Sequence, residues 1–393
     1  MKKLLSLLLC VAVVFSLSGC AGTEFIARIK NFDIMTYFGD RTDWESVQVK
    51  EPAAGSRYKY YFNRLGNKEK QAYSNILAEI EAMPAAVEIP SLAQKELSAV
   101  FEALLYDNPY LFFIGRNCTI TTTGTKSYFN AEYVMSAAEY GSRKQALEAK
   151  ADKIAAGLGN KTRFDAELYI HDYIIDTCAY SNTGAEDESS AYGALVTGAA
   201  ACEGYAKAAK LLLDLAGIDC FVLGGMAKNA QGGYESHMWN TVNIEGDFYH
   251  LDTTWDDPVS LGESEASDPV YPYFNITDRE IGKTHKDFSS LYPCTAAAAN
   301  YFVKKGLFFT DYSPAVKDAV AQGVAAAAEA GRTSIQIKFE SAGAYKAAYA
   351  GLVDNAEIYN ILDRAKSLTA ARISSKPSYR PNEDFNILEL VFG

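Results

Sequence analysis

The stretch Ala201-Cys202-Glu203-Gly204-Tyr205-Ala206 decides how the central part of this sequence is interpreted. After Cys202, apolar residues recur at helical spacing until Gly217, a residue suited to ending a helix in the left-handed conformation. We therefore predict that Cys202 opens a buried helix. The free amide hydrogens and the partial positive charge at a helix amino terminus favour a thiolate, which is the nucleophilic form of cysteine.

A thiolate at Cys202 needs a neighbouring base, and His237 opens a strand-like stretch that runs to Ile244. Glu245-Gly246 suits a two-residue turn, which would pair this strand with the one that follows. With that turn, His237 and Asp252 become diagonal neighbours on one face of the hairpin. A shift of one residue would move Asp252 to the other face. In the predicted register, Asp252 can hold the imidazole in one tautomer and stabilise its cation.

Three motifs, spaced by 35 residues (202 to 237) and 15 residues (237 to 252), carry a family resemblance. They are Cys-Glu-Gly-Tyr-Ala from Cys202, His-Met-Trp-Asn from His237, and Asp-Thr-Thr-Trp-Asp-Asp-Pro from Asp252. In this order they resemble the bacterial transglutaminase-like superfamily, and the resemblance runs from about residue 165 to 288. Ile170-His171-Asp172-Tyr173 and Tyr271-Pro272-Tyr273-Phe274-Asn275 resemble the segments that this family places before the cysteine and after the aspartate.

The resemblance implies a papain-related α+β fold, in which a helix bearing the cysteine packs on an antiparallel sheet bearing the histidine and the acid. It also implies acyl transfer by a catalytic triad of Cys202, His237 and Asp252. The backbone N–H of Cys202 would meet the oxyanion of the tetrahedral intermediate. A second donor is expected upstream, and Tyr192 is the candidate.

The other aromatic and histidine residues near these motifs are open to more than one interpretation. Trp239 and Trp255 flank the triad, either as core residues or as walls of a substrate cleft. We expect His250 to be a solvated strand residue and His171 to pack within a helix. The sequence reveals no partner for His285.

The first residues resemble a targeting segment rather than part of the fold. Lys2 and Lys3 precede an apolar run, and Leu17-Ser18-Gly19-Cys20 resembles the lipobox of bacterial lipoproteins. We expect a signal peptide at 1–19, lipid on the thiol of Cys20, and an extracytoplasmic protein anchored to the bacterial cell membrane. An ordinary secretory signal is the alternative. No later apolar run approaches the ~20 residues that a membrane helix needs.

The remaining chain divides into four parts. They are a tether at 20–55, a mainly helical region at 56–160, the catalytic core at 161–290, and a small α/β domain at 300–393. Periodicity predicts further elements within them. These are a strand at 118–128, helices at 131–158 and 342–368, and closing strands at 372–379 and 385–392.

The sequence does not determine whether the remaining cysteines form disulfides. Cys118, Cys178, Cys220 and Cys294 could pair in any of three ways, or stay as buried thiols. Their spacing matches no zinc pattern, and the sequence points to no metal and no cofactor.

The net charge of the chain and its predicted chemistry restrict the partners and substrates that we expect. A formal net charge of −12, without a basic cluster, argues against nucleic acid and against anionic membrane surfaces. We expect a protein or peptide substrate, with cell-wall peptide among the candidates, and hydrolysis of its amide bonds. Cross-linking of glutamine to an amine is the alternative, because water and amines compete for one thioester. A non-catalytic surface-binding module is the third hypothesis, and the complete triad argues against it.

Overall fold

The computed structural model of the protein describes residues 13–16, 43, 46–49, 57–123, 126–229, 231–258 and 268–393. The predicted lipid-anchor residue Cys20, most of the predicted signal peptide and most of the tether lie outside these residues. The described part combines helices with mainly antiparallel sheets, so the predicted α+β fold class is confirmed. No helix described here has both the length and the apolar character that crossing a membrane requires.

The first part of the chain forms helices and a four-stranded antiparallel sheet. The helices are α1 (Tyr60–Arg64), α2 (Asn67–Glu79), α3 (Gln94–Asp107) and α4 (Ala137–Ala156). The strands are β1 (Val13–Ser16), β2 (Val87–Ile89), β3 (Ile114–Thr123) and β4 (Lys126–Tyr133), in the order β1-β3-β4-β2. The expectation of one strand at 118–128 is wrong, because the chain there forms the antiparallel pair β3 and β4. Helix α4 therefore begins at Ala137, with Ser136 as its cap, and not at residue 131 as predicted.

The first part contacts the central part through α1. The Tyr60 ring stacks on the Phe221 ring at a centroid distance of 3.7 Å, and the Tyr61 hydroxyl donates to Val222 O at 2.8 Å. Buried Asp107, the last residue of α3, accepts the backbone N–H of Tyr61 at 3.1 Å. The first two contacts join α1 to the sheet of the central part, and the third holds α1 on α3.

The central part consists of helices around a five-stranded antiparallel sheet. The helices are α5 (Arg163–Thr177), α6 (Cys202–Leu215) and α7 (Asp278–Ile281). A short parallel pair, β5 (Ala179–Tyr180) and β6 (Ala199–Ala200), precedes α6. The sheet, in the order β10-β9-β8-β7-β11, contains β7 (Cys220–Lys228), β8 (Tyr234–Ile244), β9 (Asp247–Leu251), β10 (Phe274–Ile276) and β11 (His285–Lys286). Helix α6 begins at Cys202 as predicted and lies on this sheet, where Asn240 Nδ2 donates to Ala206 O at 2.9 Å.

The hairpin of β8 and β9 has the predicted register. Ile244 lies opposite Asp247, with Glu245 and Gly246 between them. Both turn residues have positive φ, 57° for Glu245 and 101° for Gly246, as a type I′ turn requires. This turn brings His237 of β8 next to Asp252, the residue that follows β9.

The last part is a small α/β unit. Its helices are α8 (Tyr301–Lys304), α9 (Pro314–Glu329), α10 (Ala342–Tyr349) and α11 (Ile358–Leu368). Its strands are β12 (Phe308–Phe309), β13 (Ser334–Phe339), β14 (Ser378–Asn382) and β15 (Ile387–Val391), in the order β12-β13-β15-β14.

Two expectations for this unit are wrong. The helix expected at 342–368 is interrupted by a π-helical turn at Ala350–Asp354, after which Ala356 takes a left-handed φ of 58°. The strand expected at 372–379 lies further along, because its pairing with β15 begins at Ser378.

The last part is fastened to the central part by polar contacts. Arg332 pairs with Asp172 at 3.3 Å and with Asp176 at 3.1 Å, both on α5. The Gln336 side chain accepts the backbone N–H of Tyr271 at 2.9 Å. The α/β unit therefore supports α5 and the segment next to β10, two neighbours of the hairpin.

Gly204 lies where α6 passes closest to the preceding chain. A Cβ added there would lie 2.5 Å from Glu188 O and 2.7 Å from Ala200 Cβ. Neither neighbour is the far end of a flexible side chain, so neither can move aside easily. Glycine usually costs a helix interior about 1 kcal/mol relative to alanine. Its presence in the first turn of α6 is explained by this close packing.

We expect Gly204→Ala to lower the free energy of unfolding by about 1–3 kcal/mol, because the added methyl group over-packs the contact. Gly141→Ala in α4 is the matched control, since a Cβ there meets nothing within 4 Å. That variant should gain up to about 1 kcal/mol of helix propensity. Urea denaturation followed by circular dichroism measures both. Equal stability of the two variants would contradict the packing assigned to Gly204.

Candidate active site

Cys202 is the first residue of α6, and its side chain is half-buried. The residue before it is extended and fixed, because Ala201 N donates to Glu188 O at 2.9 Å. The first N–H groups of a helix have no partner within it, and the helix dipole adds partial positive charge. The fold thus puts this thiol where a thiolate is stabilised.

The hairpin brings His237 and Asp252 together. His237 Nε2 lies 2.7 Å from Asp252 Oδ2, and both side chains are buried. With Nε2 on the carboxylate, Nδ1 is the ring nitrogen left for Cys202, whose side chain lies close enough to raise the pKa of His237. The three residues that the sequence singled out as a triad therefore lie together.

The charges of His237 and Asp252 support each other. Burial alone would lower the pKa of His237, but the charge and hydrogen bond of Asp252, together with Cys202, raise it to about 10. Burial alone would raise the pKa of Asp252, but the His237 cation and the hydrogen bonds from His237 and His285 hold it well below its usual range. At neutral pH His237 is therefore a cation beside the thiol, and this favours the thiolate.

Asp252 accepts further hydrogen bonds that the sequence did not predict. Its Oδ1 accepts the backbone N–H groups of Thr254 and Trp255, each at 3.1 Å. Its Oδ2 also lies 3.1 Å from Nε2 of His285, a buried residue on β11. Strand β11 pairs with β7 at the edge of the sheet, so this contact depends on tertiary structure. The sequence carries no local signal for it beyond the histidine itself.

The motif that begins at Asp252 contains two more buried aspartates, and each has its own partner. Asp256 Oδ2 lies 3.2 Å from Nε2 of His171 on α5. Asp257 Oδ2 accepts the hydroxyl of Tyr205, on α6, at 2.6 Å. His171 is buried in its helix as expected, and it also pairs with Asp256. The motif therefore fastens the hairpin to α5 and to the helix that bears the cysteine.

The comparison with protein families locates this site within a known superfamily. Residues 148–253, which include the cysteine, the histidine and the first aspartate of the motif, match the model of the transglutaminase-like superfamily. This part of the chain is a transglutaminase-like core. No curated protein matches the chain.

Seven chains of solved structures also match. One described as a TGase is 12% identical, with a TM-score of 0.26, over 42% of this chain and 48% of that one. A candidate cysteine protease from Cytophaga hutchinsonii is 15% identical, with a TM-score of 0.22, over 37% and 60%. The periplasmic domain of TgpA from Pseudomonas aeruginosa is 16% identical, with a TM-score of 0.21, over 34% and 58%. This chain spans 48% to 60% of the length of these structures. Similarity at this level does not establish a shared activity.

Glu203, the neighbour of Cys202 in the transglutaminase-like core, has its charge compensated. Its carboxylate lies 2.5 Å from Arg116 on β3 and 2.8 Å from Lys207 on α6. Burial would raise the pKa of Glu203, but these two cations lower it. The sequence left open whether Glu203 opposes the thiolate. Because two cations meet its charge, Glu203 opposes the thiolate less than an unpaired carboxylate would.

The two tryptophans near the triad differ in exposure. Trp239 is only 1% exposed, and its ring centroid lies 6.0 Å from that of His237 and 4.9 Å from that of His285. It therefore packs in the core beneath both histidines rather than lining an open cleft. Trp255 is half-buried, and its ring centroid lies 5.9 Å from that of His237, so the residue lies beside the triad.

Tyr192, the candidate second oxyanion donor, lies directly before a π-helical turn at Gly193–Thr197. Its ring stacks on Phe112 at 5.6 Å, and the guanidinium carbon of Arg143 lies 5.2 Å from its centroid. Within the described part of the chain, no hydrogen bond or ring contact joins Tyr192 to Cys202. Its role as the second oxyanion donor stays a prediction.

His250 is buried, so the expectation of a solvated strand residue is wrong. The Trp239 indole N–H donates to His250 Nδ1 at 3.0 Å, and His250 Nε2 lies 2.8 Å from Asp278 Oδ1. Asp278 opens α7 and is tied to Cys294, so this segment covers the hairpin face that carries His250. Because Nδ1 accepts the indole proton, Nε2 carries the proton of the neutral ring and donates it to Asp278. In that state Nε2 is a donor rather than a metal ligand.

The remaining described cysteines are buried free thiols. They are Cys118, Cys178, Cys220 and Cys294, and the described residues contain no disulfide between them. Burial raises the pKa of Cys118, Cys178 and Cys294 to about 12 and also raises that of Cys220. Cys202 is the one free cysteine of the described set that is not fully buried.

We expect iodoacetamide to label Cys202 near neutral pH at least about tenfold faster than the four buried cysteines, which are shielded and protonated there. His237→Ala should slow Cys202 labelling about tenfold or more, because it removes the cation that supports the thiolate. The histidine effect should vanish as the pH rises through about 10, where His237 itself loses its proton. Peptide mapping by mass spectrometry measures each rate.

The matched control is His250→Ala, which removes an equally buried imidazole that does not contact Cys202 and should leave the labelling rate close to wild type. Labelling of Cys202 only in alkali, at the rate of the other cysteines, would contradict the thiolate–imidazolium pair.

Proposed function

We propose that the protein is a thiol acyl-transfer enzyme that hydrolyses amide or peptide bonds of proteins or peptides, with a catalytic triad of Cys202, His237 and Asp252. The proposal is carried by the cluster of Cys202 at the start of α6, His237, and the buried carboxylate of Asp252, which lies 2.7 Å from His237 Nε2. The transglutaminase-like match spans all three residues and supports the same chemistry. Each step of the proposed reaction uses only the substrate, groups of the protein and water.

In the first half-reaction, the Cys202 thiolate attacks the carbonyl carbon of the amide. The carbonyl oxygen becomes an oxyanion, which accepts the backbone N–H of Cys202 at the helix terminus. His237 gives its Nδ1 proton to the leaving nitrogen, the C–N bond breaks, and ammonia or an amine departs. A thioester remains on Cys202, and Asp252 keeps the now neutral imidazole in its orientation.

In the second half-reaction, His237 takes a proton from water as the water oxygen attacks the thioester carbon. The C–S bond then breaks, the carboxylic acid product leaves, and the thiolate and the imidazolium are restored. An amine in place of water would yield a new amide, the cross-linking outcome. The half-exposed ring of Trp255 beside His237 would contact the acyl group.

We further propose that the enzyme works outside the cytoplasm, held to the bacterial membrane by lipid on Cys20. The lipobox-like Leu17-Ser18-Gly19-Cys20 supports this location, and peptides of the cell wall are then candidate substrates. Cys20→Ala should move the protein from the membrane fraction to the soluble fraction of lysed cells. Unchanged membrane association would contradict the lipid anchor.

A screen of fluorogenic peptides and glutamine-containing peptides tests the reaction. We expect Cys202→Ala to abolish turnover, because the other described cysteines are fully buried. Asp252→Asn should lower kcat/KM by roughly 10²–10⁴, since an amide cannot stabilise the imidazolium of His237. Adding an alkylamine, and analysing products by mass spectrometry, separates acid products from amide products.

Cys118→Ala is the control for this screen, because it removes a buried cysteine in the first part of the chain and should retain turnover. Hydrolysis that survives in Cys202→Ala would contradict the proposed nucleophile. Amide products in place of acids would assign the enzyme to cross-linking.

A further inference from the structure

Two imidazoles meet at one oxygen of Asp252, and the proposed mechanism uses only one of them. His237 Nε2 lies 2.7 Å and His285 Nε2 lies 3.1 Å from Asp252 Oδ2. The other nitrogen of His285, Nδ1, lies 2.9 Å from the Thr284 hydroxyl oxygen. His285 is buried, so water does not compete for either contact.

The two imidazoles differ in charge. Burial lowers the pKa of His285, and the nearby His237 cation lowers it further, against the opposing effect of Asp252. His285 is therefore neutral while His237 is charged. A neutral ring has one N–H, and only a proton on Nε2 makes a favourable contact with the carboxylate. The Nδ1 atom then accepts from the Thr284 hydroxyl.

The ring of His285 is held on several sides. Its centroid lies 4.9 Å from those of Trp239 and Trp255, 5.3 Å from His237 and 5.7 Å from Tyr273. The ionisable groups that act on it are Asp252, His237 and His250, with the Tyr273 phenol against the ring. The ring packs against these neighbours, so its donor stays directed at Asp252.

We propose that His285 is a positioning residue for the Cys202–His237 pair. The Nε2–H group of His285 takes up part of the Asp252 charge that would otherwise act on His237. This inference rests on the proposed triad. A carboxylate that accepts a hydrogen bond from a second donor attracts the first cation less strongly. His237 consequently releases its proton to the leaving nitrogen more readily than it would beside an unshared carboxylate.

Histidine-labelled NMR of the full chain tests this directly, because the sequence contains only four histidines. Spectra of wild type, His285→Phe and His285→Gln are compared, with His237 assigned from His237→Ala. Phenylalanine keeps an aromatic ring between the tryptophans but has no donor, whereas the glutamine amide can restore the N–H. We expect the titration midpoint of His237 to rise by about half a pH unit in His285→Phe and to stay near wild type in His285→Gln.

Thr284→Val is the second variant, since it leaves the His285 ring intact and removes only the hydroxyl that orders its tautomer. It should move the His237 midpoint in the same direction as His285→Phe. Equal His237 midpoints in all four proteins would overturn the role of His285 while leaving the triad in place. A wild-type His237 midpoint near that of a free imidazole, about 6.5, would overturn the triad as well.

Discussion

The rest of the site depends on the hydrogen bonds that the buried carboxylate of Asp252 accepts. An unpaired charge in a protein interior costs several kcal/mol, so this anion requires donors around it. Two of them are backbone N–H groups of the turn that Asp252 begins, at Thr254 and Trp255. The other two are the imidazoles of His237 on β8 and His285 on β11, the two strands that flank β7. The anion is therefore satisfied only when hairpin, turn and edge strand have all formed.

The same turn joins the chemistry to the surrounding helices. Asp256 pairs with His171 on α5, and Asp257 accepts the hydroxyl of Tyr205 on α6. Next to His171, Asp172 pairs with Arg332 of the last part of the chain. Through these contacts the turn that orients the imidazole also holds the helix that presents the thiol. The close packing of Gly204 against Glu188 fixes the same amino-terminal turn of that helix.

The sequence predicted the features that depend on neighbouring residues in the chain. The start of α6 follows from its apolar period, and the β8–β9 register follows from the positive φ that Glu245-Gly246 supports. The contact between His285 and Asp252 could not be predicted, because it joins residues 33 positions apart through an edge strand with no motif of its own. The burial of His250 likewise depends on α7 and Cys294, which cover its face of the hairpin. The break at Ala350–Asp354 lies in an alanine-rich stretch whose composition favours an unbroken helix.

The central claim is that Cys202 is a thiolate beside a cationic His237 at neutral pH. The ultraviolet absorbance of the thiolate, measured as the difference between the full-length protein and its iodoacetamide-treated form across pH, tests it most directly. We expect a thiolate signal at neutral pH that is lost in His237→Ala. A signal that rises only near about pH 8.5, as for a free cysteine, in both wild type and His237→Ala would contradict it.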